Sequence, residues 1–172
     1  MSELIRIGDL DIDEDIEFQR RMWAFQRAGW VLMGLLVVAA LLGALGGRGP
    51  LAGGEIGDDA TGLRLEYRRL TRHGSPDRLV VHLAAGTAAS DSTLSVWLDR
   101  SYLEGLEIRT VTPEPVEVRA ADDRITYRFK LSDPARAATV TFLVEPIRSF
   151  ARSGAIGSDR SPTHRFSQFV FP

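Results

Sequence analysis

The sequence predicts a single N-terminal transmembrane helix followed by an all-β domain, an antiparallel β-sandwich of immunoglobulin-like architecture. Three observations lead there. Residues 28–47 run without one charged side chain. Beyond residue 61, apolar residues recur at every second position in short segments broken by Gly, Pro, Asp and Ser. No segment after Arg48 holds a helical period over several turns.

The first element is an acidic head, residues 1–27. It carries seven carboxylates, all within its first seventeen residues, against four arginines. Asp11 and Glu14 stand three apart in a capping-box pattern, Asp15 and Glu17 extend the acidic first turn, and Glu17 pairs with Arg21 at i,i+4. These signals predict a juxtamembrane helix from about Leu10 to Arg27, running straight into the apolar segment. So acidic a head repels an anionic lipid surface; it reads as a solvated lead-in to the anchor or, more sharply, as a docking segment for a basic cytoplasmic partner.

At about 1.5 Å of rise per residue, residues 28–47 span roughly 30 Å as a helix, close to the hydrocarbon thickness of a bilayer. The run is apolar on every face, and the remaining chain is too short to wrap it. A cleaved secretory segment is the competing reading, with Ala44, Leu45 and Gly46 as the small-residue site. The run exceeds the roughly 7–15 residues usual for such a segment, and 27 residues precede it, so a retained anchor fits better. Trp23, Phe25 and Trp30 cluster where aromatic rings favour the headgroup layer. Ala39, Gly43 and Gly47 fall four apart, a spacing that lets two membrane helices approach closely and permits homo-oligomers.

Arg20, Arg21 and Arg27 precede the anchor closely, whereas Arg48 alone follows it before Arg64. The positive-inside rule then puts the N-terminus in the cytoplasm. Of the 21 basic residues only Lys130 is lysine. That bias, with the abundant Ala and Gly, marks a GC-rich bacterial genome, so the expected location is the bacterial inner membrane with the C-terminal domain extracytoplasmic.

Residues 48–61, rich in Gly and Asp, read as a flexible tether. The sandwich is expected over 62–172. Alternation at Leu63–Tyr67, Leu79–Leu83, Leu94–Leu98, Leu106–Thr110, Val116–Val118, Ile125–Leu131, Val140–Val144 and Phe166–Phe171 predicts eight short strands. The stretch 146–163 lacks that alternation and reads as a long loop carrying Arg148, Arg152 and Arg160, whose guanidinium groups suit phosphate or carboxylate.

Chemistry is scarce. The chain has no cysteine, which excludes disulfides, thiolate catalysis and cysteine-ligated zinc. His73, His82 and His164 show no metal-ligand spacing, and no phosphate-cradling loop or nucleophile elbow occurs. No cofactor is expected. Lys and Arg are not clustered as a nucleic-acid surface requires. Trp97 points opposite Leu94, Val96 and Leu98 on its strand, which puts a large ring on the outer sheet face, as a contact surface or beneath a covering loop. The expected role is therefore non-enzymatic: an accessory or assembly subunit, held in the lipid bilayer, that binds another membrane protein. The alternative is a membrane-tethered recognition module taking an anionic envelope ligand on the 146–163 loop.

Overall fold

A computed structural model describes residues 5–7, 10–12, 16–44, 49–88 and 92–172. The chain divides into two compact units, Met1–Ala39 and Ala40–Pro172.

In the first unit, β1 (Ile5–Ile7) and β2 (Leu10–Ile12) pair antiparallel, with Ile7 opposite Leu10. The helix expected from Leu10 therefore begins later, at Ile16. Both tripeptides alternate branched apolar and charged residues around Gly8 and Asp9, a two-residue hairpin signal that outweighs the local cap pattern. Asp11 consequently lies on a strand, while Glu14 and Asp15 fall outside the described residues.

Helix α1 (Ile16–Leu41) has one stretch, Glu17–Leu41, long and apolar enough to cross a membrane. None of its most apolar window is buried, so it is not the core helix of a folded domain. The expected span of 28–47 is corrected at its end. The helix stops at Leu41, and Gly43 takes a left-handed φ of 84°, its N–H donating to the Ala40 carbonyl at 3.0 Å. Glycine fits this terminating position because a Cβ there meets its own carbonyl. The predicted small-residue face is thus broken: Ala39 is helical, Gly43 is not, and Gly47 lies outside the described residues.

The charge-free helical part, residues 28–41, measures only about 21 Å at the standard rise. Arg27 immediately precedes it, and its guanidinium leans back over the Trp23 ring, one turn earlier, 4.6 Å from the centroid. Helical side chains tilt toward the N-terminus, so this arginine reaches outward from the apolar stretch. Residues 22–41, counted with Arg27 directed outward, measure about 30 Å as a helix.

The second unit is the β-sandwich. Its strands are β3 (Gly53–Asp58), β4 (Leu63–Arg68), β5 (Leu70–Arg72), β6 (Asp77–Leu83), β7 (Thr93–Asp99), β8 (Leu106–Thr112), β9 (Glu117–Ala120), β10 (Arg124–Lys130), β11 (Ala138–Pro146), β12 (Phe150–Ser158) and β13 (Ser161–Phe171). One short helix, α2 (Arg100–Leu103), follows β7 and is capped by the Asp99 carboxylate. One sheet has the order β5-β13-β12-β7-β10-β9 and the other β3-β4-β6-β11-β8. All pairs are antiparallel except β5 with β13. The inward positions of both sheets form one core. Tyr127 of one sheet meets Phe142 of the other at 5.1 Å, and Tyr67 meets Phe166 at 5.0 Å.

Two sequence expectations are corrected here. Within the supposed tether, β3 pairs along the whole of β4. The supposed loop 146–163 is mostly β12, the Ser158–Ser161 turn and the start of β13. Both strands hid for one reason. Each carries a glycine where a large side chain crosses the backbone: a Cβ on Gly54 would come within 2.8 Å of the Tyr67 ring, on Gly154 within 2.7 Å of Tyr102, and on Gly157 within 2.6 Å of Trp97. Small residues there are a packing requirement, and they erase the alternation that reveals a strand.

Candidate functional site

The outer face of the six-stranded sheet carries Trp97, and Arg148 lies at its edge. Its middle strand β12 presents Ala151, Ser153 and Ala155, none of which rises far above the backbone. The result is a shallow trough in two adjoining parts, each of about 270 Å³. Ser101 and Ser153 line both parts, with Asp99, Thr163 and Arg165 at one end and Arg148 at the other. Sequence reasoning missed Ser101 and Ser153, because nothing local marks a serine as facing an open sheet surface.

Trp97 lies on that outer face as expected, but half-buried. Its ring rests on the Gly157 backbone, and the Arg124 guanidinium covers it at 4.7 Å. The ring therefore forms part of the sheet surface and does not project from it.

The three arginines of the 146–163 stretch are not equivalent. Arg152 donates to the backbone carbonyls of Gly105, at 2.7 Å, and Tyr102, with its guanidinium 4.8 Å from the Tyr102 ring centroid. Burial lowers its pKa. Arg160 donates to the carbonyls of Ala88, at 2.7 Å, and Gly86. Both guanidinium groups hold loops in place. Arg148 is exposed and makes no ion pair among the described residues.

Beneath the trough lies a buried polar network. Tyr102 donates its hydroxyl to Gln168 at 3.1 Å; the Gln168 amide donates to the Arg68 carbonyl at 2.9 Å and to the Asp77 carboxylate at 3.0 Å. Asp77 also accepts from the Arg78 N–H at 2.8 Å and faces Arg68 at 3.5 Å. Burial, the largest influence, raises the Asp77 carboxyl above its usual value, and burial likewise raises the Tyr102 phenol. The network ties β6, β13 and α2 together across the two sheets. Each buried polar atom in it has a partner, which is what keeps such groups affordable inside a core.

Among the described residues no three of His, Asp and Glu converge as a metal site would require. His82 stands opposite the buried Leu79, Val81 and Leu83, as its strand position predicts, with Nε2 3.0 Å from Glu66 and Nδ1 3.3 Å from the Thr139 hydroxyl.

No family model matches this chain, and no curated protein matches it. Among solved structures, it is similar to the seventh ScaB type I cohesin from Pseudobacteroides cellulosolvens, with a TM-score of 0.36 and 10% identity over 59% of this chain and 80% of that one.

Proposed function

We propose that this chain is a bacterial inner-membrane protein, anchored once with its N-terminus cytoplasmic, whose extracytoplasmic β-sandwich binds another membrane protein. Its role is that of a non-enzymatic accessory or assembly subunit. The observation that carries this reading is the exposure of α1. Apolar side chains from Phe18 to Leu41 stand open on every side, while the β unit holds a complete core of its own. In water such a helix would aggregate; in lipid it is at home. Arg20, Arg21 and Arg27 on its N-terminal side support a cytoplasmic N-terminus.

The trough along β12 supports a binding role. It is open, shallow and walled by short polar side chains, a shape that receives an extended segment of a partner. The buried carboxylate and phenol beneath it are engaged with each other through Gln168, which favours a structural duty over proton transfer. The anionic-ligand alternative loses two of its three arginines to backbone carbonyls.

The test is affinity capture of the full chain from membranes in mild detergent. One membrane protein should be recovered in fixed proportion, and Ser153→Arg, which fills the trough, should lose it while the thermal transition stays put. Recovery unaffected by Ser153→Arg, by deletion of residues 1–15 and by scrambling of residues 28–41 would leave the subunit reading without a surface.

A further inference from the structure

We infer that the end of the sandwich bearing Leu51, Ile147, Phe150 and Phe169 docks onto an anionic lipid headgroup layer, with apolar side chains entering it and arginines meeting its phosphates. This rests on the anchored reading above and adds a second, weaker membrane contact.

Backbone connections define that end. Leu51 donates to the carbonyl of Leu42, immediately after α1; Arg69 donates to Ala52 at 2.7 Å, and Phe169 to Arg69 at 2.7 Å. Register then places Ala151 opposite Phe169 and Phe150 opposite Val170, and Gly74 donates to Pro146 at 2.9 Å. The segment that leaves the helix is therefore two hydrogen bonds from the last residues of the sandwich.

That end exposes apolar surface out of keeping with a solvated tip. Phe150 is 66% exposed, Leu51 52%, Ile147 47% and Phe169 36%. Phe150 is also held at a φ of 83°, a left-handed conformation that a bulky side chain rarely adopts. The fold keeps an aromatic ring in solvent where a glycine would sit without strain. Such placement points to a use for the ring.

The charged side chains left outside ion pairs at this end are arginines. Arg69, Arg72 and Arg148 are exposed and make no ion pair among the described residues. The carboxylates nearby are engaged: Asp77 is buried, Glu107 and Glu145 each hold Arg109 at 2.9 Å, and Glu104 holds Arg100 at 3.3 Å. Apolar wedges ringed by free arginines complement a layer that is anionic outside and apolar beneath. Only ten residues of sequence, 42–51, connect α1 to this end.

Because the chain lacks cysteine, single labels are clean. Ser149→Cys reports on the patch and Ala85→Cys on the opposite end, beyond the seven residues of β6, about 20 Å of strand. The full chain, carrying an environment-sensitive fluorophore, is reconstituted into phosphatidylcholine vesicles with about a third phosphatidylglycerol and a nitroxide-labelled lipid quencher. Quenching and a blue shift are expected at 149 and not at 85. Both should be lost in pure phosphatidylcholine, and in the Arg69→Glu, Arg72→Glu, Arg148→Glu triple variant. Phe150→Gly should weaken the quenching while the thermal transition holds or rises, which separates docking from unfolding. Equal quenching at 149 and 85, or quenching indifferent to charge reversal, overturns the docking. A chain that floats with vesicles yet shows no quenching at 149 overturns docking alone; a chain that does not float overturns the anchor as well.

Discussion

The Asp77 carboxylate shows how a buried acid is tolerated when every oxygen has a partner. Gln168 is the pivot, because one amide serves a tyrosine, a carbonyl and a carboxylate from three separate elements. Gln168→Leu should therefore cost about 2–4 kcal/mol, read from chemical denaturation, since it strands Asp77 and Tyr102 without partners. The pH dependence has a definite sign. The folded chain holds the Asp77 proton more tightly than the unfolded chain, so stability from this group is greatest below 3.8 and declines as pH rises toward the raised value. The melting temperature of the natural protein should thus gain on that of Asp77→Asn as pH falls from about 7 to about 4. A gap that narrows on acidification would contradict the burial argument. Gly157→Ala should cost about 1–3 kcal/mol, because the new methyl displaces the Trp97 ring and overpacks a tight contact.

Elements here are decided by competition between local signals. Residues 10–12 carry a helix-cap pattern and a hairpin pattern, and the hairpin prevails because Ile5–Ile7 offers a partner strand. At the other end of α1, Gly43 stops the helix although the apolar composition continues beyond it. Gly43→Ala is expected to destabilise the β unit by about 1 kcal/mol, since its Cβ would sit 3.0 Å from Gly49 in a left-handed backbone. Melting of the β unit reads it. β12 is a strand that composition disguises. Its alternation is legible only after Tyr102 and Trp97 are seen to lie across its glycines, and both rings come from elements about fifty residues earlier. The same distance hid the duties of Arg152 and Arg160. Each reads as a free cation in sequence, and each proves bonded to carbonyls 47 to 74 residues away.

For the whole molecule, two solvents are implied: one unit keeps its apolar surface inside, the other keeps it outside. The β unit should therefore unfold around its own core. Phe142→Ala, fully buried at the Tyr127 contact between the sheets, should lower its stability by about 3–5 kcal/mol while leaving membrane recovery unchanged. Conversely, the full chain should sediment with membranes after washing in high salt and be released only by detergent. Release by the wash would show that α1 is not held in lipid.

The sequence by itself determined the apolar helix, the switch to period-two strands and most inward core positions, because these depend on neighbours one to four residues apart. It also showed that Trp97 and His82 oppose their strands' buried faces. Tertiary structure decided where α1 ends, that residues 53–58 and 150–158 are strands, and which arginines are engaged within the fold. It alone assembled the Ser101–Ser153 trough and the exposed ring of Phe150. Those features come from contacts between strands far apart in the chain, where a glycine is chosen for the ring above it and an arginine for the carbonyl it meets. Local spacing has no access to such pairings.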